Sequence, residues 1–270
     1  MAEPILRYPG AKWNMADWII SHIPPHDVYL EPYFGSGAVF FNKQPSRLET
    51  INDISGDVVN LFKVLRDSQD ELERLIDLTP WSREEYYSCT SRNGSIEKTD
   101  SEIEMARRFL VRCWQSMSGK LDGRTGWRHD IKCDCGQNHV KTWLRLPQRI
   151  RKFASRLKDA QIENRDAIEL IDRYKLSNVL IYVDPPYVLS TRAGKIYQDE
   201  MTDQEHISLL EILINHHGPV ILSGYESDIY SEYLKKWEIK YKSSITDSGK
   251  KRQEVIWLNP KAAMYSRGLF

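Results

Sequence analysis

The sequence has no excess charge of either sign. Lys+Arg and Asp+Glu each number 38 in 270 residues, so the overall balance singles out no polyanionic or polycationic partner. Cysteine is scarce. Cys89, Cys113, Cys133 and Cys135 are too few and too unevenly spaced to make a disulfide framework for a chain of this length. No apolar run approaches the length needed to span a bilayer, and the opening Met-Ala-Glu-Pro lacks a basic-then-apolar signal. Neither repeats nor low-complexity tracts are evident. A soluble, cytoplasmic protein without membrane association is expected. What is present is 41% hydrophobic residues, enough for a sizeable core in one large domain or in one domain carrying an insertion.

The most informative stretch is 179–187, Val-Leu-Ile-Tyr-Val-Asp-Pro-Pro-Tyr. Five β-branched, aliphatic or aromatic residues read as a buried strand that must stop at Asp184, because neither Pro185 nor Pro186 has an N–H for a ladder. Each proline also biases the residue before it away from helix, so the chain leaves the sheet in one stiff direction. Asp184 and Tyr187 are thereby held as fixed tools. A carboxylate at the carboxyl end of a buried strand stands where open α/β sheets bind ligands, and a rigidly held aromatic offers a flat surface to a planar ring.

Nearer the start, Tyr8-Pro-Gly-Ala-Lys12 reads as a tight turn before an amphipathic helix over 15–22. Residues 28–42 run from an apolar strand through Glu31 and Phe34-Gly-Ser-Gly37 into a helix pattern, the arrangement in which a nucleoside cofactor lies over the first βα loop. Gly35 and Gly37 allow close backbone approach, and the helix start beyond them offers N–H groups. Asp53 ends a second short strand about twenty residues on, where a ribose-binding carboxylate belongs. The dinucleotide fingerprint wants a third small residue where this chain has Phe40, so a cofactor without phosphates, S-adenosylmethionine, fits better.

Residues 57–88 are helical and charged, with Val58, Leu61, Phe62 and Leu65 as a core stripe, and 105–114 form another amphipathic helix whose Arg107, Arg108 and Arg112 read as a wet face. Between 116 and 129, Gly119, Gly123 and Gly126 alternate with Lys120, Arg124, Trp127 and Arg128. That composition suits either an arm that grips phosphates and reads bases or a plain surface loop. Cys133 and Cys135, flanked by His129 and His139, have the wrong spacing for zinc, and no metal is expected. Residues 141–158 hold Lys141, Arg145, Arg149, Arg151, Lys152, Arg156 and Lys158 without one acid, which is either a solvated helix face or a nucleic-acid surface.

A short strand then leads to Asp166, which either accepts a hydrogen bond from an adenine amino group or caps the next helix. After the central strand, Arg192 and Lys195 stand in a loop available to a substrate. Thr202 and Glu205 make a capping box for a helix to about 216, residues 219–224 are another buried strand, and 239–245 with 254–259 form a hairpin around Lys250-Lys251-Arg252.

Taken in order, Tyr8-Pro-Gly-Ala-Lys12, Glu31-Pro-Tyr-Phe-Gly-Ser-Gly37, Asn52-Asp53, Asp166 and Asp184-Pro-Pro-Tyr187 resemble the Dam-like DNA adenine-N6 methyltransferases, nearly end to end. The resemblance implies an α/β fold: a Rossmann-like S-adenosylmethionine-dependent methyltransferase sheet, residues 1–55 and 157–270, with a mainly helical recognition insert over 56–156. It implies S-adenosylmethionine held by Tyr8, Lys12, Glu31, Phe34, Gly35, Ser36, Gly37, Asp53, Asp166 and Asp184, with Asp184, Pro185, Pro186 and Tyr187 catalytic. Double-stranded DNA is the implied partner, gripped by Lys120, Arg124, Trp127, Arg128, Arg145, Arg149, Arg192 and Lys195.

Similar tetrapeptides serve any planar amide or amino nitrogen, so RNA and protein glutamine are rival substrates, and an idle DNA-binding module is a rival of another class. The order of motifs and the long basic insert favour DNA. Intact Asp184, Tyr187, Gly35 and Gly37 argue for an enzyme.

Overall fold

A computed structural model describes residues 3–118, 121, 123–129, 138–192, 194–197, 199–245 and 251–266. Gly119, Lys120, Cys133, Cys135 and Lys250 lie outside these.

The strands are β1 (Val28–Glu31), β2 (Leu48–Asn52), β3 (Ala160–Glu163), β4 (Val179–Val183), β5 (Val220–Gly224), β6 (Glu238–Ile245) and β7 (Lys251–Leu258). They form one seven-stranded sheet in the order β3-β2-β1-β4-β5-β7-β6. The first five strands run parallel, and β7 is antiparallel to both β5 and β6. From β1 the chain steps outward to β2 and β3, and from β4 it steps the other way to β5. The reversal between β1 and β4 opens a crevice at their carboxyl ends, the place where such sheets take ligands.

The run 179–183 is unbroken in hydrophobicity because β4 is covered on both faces. Leu180 and Tyr182 point into one core and Val179, Ile181 and Val183 into the other, as the two-residue repeat of a strand requires. The second core is filled by Leu170 and Ile171 of α9 (Ala167–Arg173) and by Leu209, Leu210 and Leu213 of α10 (Asp203–Ile214). Thr202 and Glu205 close the expected capping box on α10.

On the first face lie α1 (Ala16–Ile20) and α2 (Ala38–Asn42), together with the long connection from β2 to β3. That connection folds as α3 (Gly56–Asp67), α4 (Gln69–Asp77), α5 (Arg83–Cys89), α6 (Glu102–Gln115), α7 (His139–Leu144) and α8 (Leu146–Leu157). Phe62 and Leu65 of α3, Leu110 of α6 and Phe153 and Leu157 of α8 share one core with Tyr29, Ile51 and Leu180 of the sheet. The remaining helices, α11 (Asp228–Tyr233) and α12 (Pro260–Ser266), flank the carboxyl-terminal hairpin. No helix among the described residues is long and apolar enough to cross a membrane.

Two expectations change here. Arg112 is no wet-face residue: only 4% exposed, its guanidinium donates to the carbonyls of Gly94 and Leu121 and so ties the α5–α6 connection to the loop beyond α6. Arg107 likewise turns inward along the helix flank onto Glu104, Glu85 and Thr79. The helical stretch 57–88 is also three helices, divided at Ser68 and at Thr79-Pro80.

Candidate active site

The crevice at the β1/β4 switch is a cleft of about 190 Å³ whose walls include Phe34, Gly35, Asp53, Asp166, Asp184 and Tyr197. Three of its acids stand at the ends of parallel strands, because each strand hands its last side chain to the same rim.

Glu31 closes β1. It is 2% exposed and accepts a hydrogen bond of 2.7 Å from the Tyr29 hydroxyl. Burial pushes its carboxyl up to about 8, and the neighbouring charge of Asp184 adds to the rise. Asp53 follows β2 and receives the backbone N–H of Gly35 at 2.8 Å and of Ser55 at 2.9 Å. Burial still lifts its carboxyl to about 6, despite those two donors. The Asp53 contact locks the glycine turn: Gly35 and Gly37 take φ of 50° and 66°, and a Cβ on Gly37 would run into the Phe34 ring. Ser36 accepts from the Trp13 indole at 3.1 Å. The helix beyond the turn, α2, is only five residues long, so its dipole adds less at this point than the sequence pattern promised.

Asp184 is the third acid. Its Oδ2 lies 3.0 Å from the Lys12 ammonium, which also donates to the Gly10 carbonyl at 2.6 Å. Its Oδ1 is buried and has no hydrogen-bond partner among the described residues. Burial raises the pKa of Asp184, Lys12 opposes the rise, the charge of Glu254 reinforces it, and the Tyr187 hydroxyl holds it back slightly. The stiff Pro185-Pro186 turn then delivers Tyr187, whose ring has the Lys12 ammonium 4.8 Å from its centroid and the Tyr225 ring edge-on at 4.6 Å.

The cleft thus gathers Tyr8, Lys12, Glu31, Phe34, Gly35, Ser36, Asp53, Asp166, Asp184 and Pro186 from the expected set. Phe34 differs in kind from the rest. Its ring is only 4% exposed and packs edge-on against Phe40 and Phe62, so it props the glycine turn more than it faces the cleft. Asp166 does cap α9, its Oδ1 accepting from the N–H groups of Ile168 and Glu169, while the residue also lines the cleft.

Sequence reasoning missed Tyr197, Glu200, Tyr225 and Glu254. Tyr197 packs near Tyr8 and donates to the Pro9 carbonyl at 3.1 Å, strapping the loop after β4 across to the Pro-Gly turn. Glu200 anchors that strap by accepting from the N–H groups of Ile196 and Tyr197 and by pairing with Arg192. The only local signal was an acid and an aromatic in the loop that follows Asp-Pro-Pro-Tyr. Glu254 and Tyr225 come from β7 and the end of β5, and nothing in their own neighbourhoods marks them.

The expected DNA contacts divide. Arg124 is exposed and lies over the Tyr87 ring at 4.9 Å; Trp127 stacks on His129 with Arg83 above it at 4.9 Å. Arg145 and Lys195 are exposed. Arg124 also donates to the Thr90 carbonyl at 3.4 Å, and three further arginines are held by several internal partners each. Arg128 holds the carbonyls of Ser116 and Met117 and meets His139, closing the loop that begins at the Ser116–Trp127 bridge. Arg149 binds Glu3 at 2.6 Å and the Pro4 carbonyl at 2.7 Å, so α8 grips the amino-terminal segment. Arg192 is engaged by Glu200 and by the Tyr187 carbonyl at 2.8 Å. A count of positive charge along the chain cannot register that each has a partner. Among the described residues no group of three His, Cys, Asp or Glu side chains is arranged to hold a metal.

The family model described as D12 class N6 adenine-specific DNA methyltransferase matches residues 8–248. The DNA adenine methylase of Escherichia coli K12 is 25% identical, the match covering 98% of this chain and 95% of that one. Type II methyltransferase M1.LlaDCHI of Lactococcus lactis subsp. cremoris is 24% identical over 92% and 90% of the two chains. Among solved structures, an rRNA methylase from Streptococcus thermophilus aligns over 96% of this chain and 97% of its own, with 10% identity and a TM-score of 0.38. On the extent of the family match, the chain belongs to the D12 class N6 adenine-specific DNA methyltransferases.

Proposed function

We propose that the methyl donor is S-adenosylmethionine, that the acceptor is an adenine rotated out of duplex DNA, and that Asp184 is the residue on which transfer turns. The observation that carries this reading is the pair of unlike oxygens on Asp184, a residue that lines the cleft: Oδ2 is engaged by Lys12, and Oδ1 is buried with no hydrogen-bond partner among the described residues. An acceptor kept dry and unpaired in a folded protein is costly, on the order of 1–3 kcal/mol, unless a ligand completes it. An exocyclic amine is a ligand that would.

The residues of the cleft suit the proposed cofactor. Asp53 keeps lone pairs on both oxygens for ribose hydroxyls, Glu31 is a buried acid that a cationic group would ionise, and Tyr8 and the Gly35–Gly37 turn complete the cradle. When bound, the cofactor supplies an electrophilic methyl carbon on a sulfonium.

The rest of the chemistry belongs to the chain. The adenine N6 is planar and a poor nucleophile because its lone pair is delocalised into the ring. Asp184 Oδ1 accepts a hydrogen bond from one N6–H, with the Pro185 carbonyl or a nearby backbone carbonyl for the other, concentrating density on the nitrogen's open face. The N–C bond forms as the sulfonium S–C bond breaks to leave a thioether, and the surplus N6 proton leaves late, to Asp184 or through water. Lys12 fixes the carboxylate so that alignment is prepaid, which is where most of the acceleration arises. Inside a duplex N6 is paired. Extruding the base costs a few kcal/mol, and stacking on Tyr187 returns about 1–3 kcal/mol.

Residues 56–156 are proposed to carry target recognition, with Arg124 and Trp127 at the reading edge and Arg145 on the phosphates, joined there by Lys195 from the loop after β4. Lys120 belongs to the same proposal but lies outside the described residues. Arg128, Arg149 and Arg192 hold the frame those residues stand on.

The test is Asp184→Ala. Calorimetric affinity for S-adenosylmethionine is expected to stay within about threefold of wild type, while tritium transfer to duplex DNA falls at least about a hundredfold. Transfer at near wild-type rate ends the mechanism.

A further inference from the structure

We propose that Glu254 is a positioning residue for methyl transfer, acting through the hydroxyl of Tyr187. The proposal rests on the reading of Asp184 and Tyr187 given above and extends it to a residue that touches neither substrate nor cofactor.

The geometry is a bracket. Glu254 Oε1 accepts from the Tyr225 hydroxyl at 2.9 Å and Oε2 from the Tyr187 hydroxyl at 3.4 Å. Strand register brings these groups together. Gly224 of β5 pairs with Val255 of antiparallel β7, so the next residue on one strand, Tyr225, falls beside the preceding residue on the other, Glu254. The two phenol rings meet edge to face, as expected when both are drawn to one carboxylate.

A carboxylate here makes the site harder to charge, since Glu254 adds to the repulsion already lifting Asp184. Among the described residues both its oxygens are engaged by phenols and neither by a cation. A residue kept only to join β7 to β5 would not need an acceptor turned on Tyr187. Its useful effect is on Tyr187, whose hydroxyl lies within reach of two carboxylates. By accepting a hydrogen bond from the Tyr187 hydroxyl, Glu254 fixes the ring where Lys12 and Tyr225 flank it. It competes with Asp184 for that hydroxyl, and so frees Asp184 Oδ1 for the substrate amine.

The experiment is a double-mutant cycle on the full chain with duplex DNA, reading kcat and KM separately. Glu254→Ala is expected to lower kcat about tenfold, with KM for S-adenosylmethionine and the melting temperature close to wild type. Glu254→Gln, whose amide can still bracket a phenol, should recover kcat to within about threefold of wild type. In a Tyr187→Phe background, Glu254→Ala should cost nothing further.

An equal loss in both backgrounds, an unchanged kcat in Glu254→Ala, or a glutamine variant as impaired as the alanine one would each overturn the proposal. The last of these would assign the effect to charge. Failure of the underlying reading shows elsewhere, as wild-type transfer by Asp184→Ala, whatever Glu254 does.

Discussion

Glu31 and Asp53 are acids that the folded chain holds at an energetic disadvantage. Their carboxyls are pushed up to about 8 and about 6 from ordinary values of 4.5 and 3.8, burial being the first cause in each. The folded state therefore keeps protons that the unfolded chain releases. The resulting destabilisation is absent below pH 3.8, builds as each acid ionises, and is complete only above pH 8. Burial depresses His26, His206 and His216, which act in the opposite direction over this range, so the comparison is with a variant in which they titrate alike. From pH 6 to pH 8.5 wild type should lose at least about 3 °C of melting temperature relative to Glu31→Gln in a calorimetric scan of ligand-free protein. An equal pH response in the two proteins would place the proton elsewhere. A cationic donor should also bind more tightly at the higher pH. A second residue-scale test concerns Tyr187→Ala, which should blunt the fluorescence rise of 2-aminopurine at the target position by at least about half; a full rise would dismiss stacking. The cleft positions of Asp184, Asp53 and Glu31 were legible because each stands at the end of a strand. The meeting of Glu254 with Tyr187, across 67 positions of sequence, was not, since one is on β7 and the other in the turn after β4 and only the folded sheet brings them together.

Among the elements, strands were the more legible because burial on both sides writes an uninterrupted apolar run, as in β4 and β5. Helices were found but miscut. Residues 57–88 break at Ser68 and at Pro80, and both breaks are short enough to hide in a charged helical pattern. In the basic stretch 141–158 the expected solvated face is there, with Lys141, Arg145, Arg151, Lys152 and Lys158 exposed, but the charge pattern cannot show that Arg149 and Arg156 turn onto Glu3 and Glu49. Arg149 and Arg124 separate the two meanings. Arg149→Ala should lower the melting temperature by about 2–4 °C, having removed the anchor to Glu3 and Pro4, and leave the salt dependence of DNA binding intact. Arg124→Ala should keep the melting temperature and weaken DNA binding or alter site preference, with the salt slope reduced by about one. An exchange of these phenotypes would reverse the assignment.

At the scale of the whole molecule, the sequence suggests a catalytic unit with an insert, and Phe62, Leu110 and Phe153 of that segment share a core with Tyr29 and Leu180 of the sheet. A sequence shows where a segment is inserted and not whether its inner face is continuous with the host. One cooperative transition should follow: guanidinium unfolding recorded by far-ultraviolet circular dichroism and by tryptophan fluorescence should give coincident midpoints. Two separated midpoints would mean that residues 56–156 fold independently of the sheet.

That continuous core bears on any attempt to reprogram which bases are modified. Transplanting all of 56–156 from a relative would carry a foreign set of inward aromatics against Tyr29 and Leu180, and a chimera of that kind should fail by misfit before its specificity could be assayed. The graftable unit is smaller: the turn carrying Arg124 and Trp127, bounded by the Ser116–Trp127 bridge and stapled from behind by Arg112 and Arg128, which a donor loop would have to accommodate.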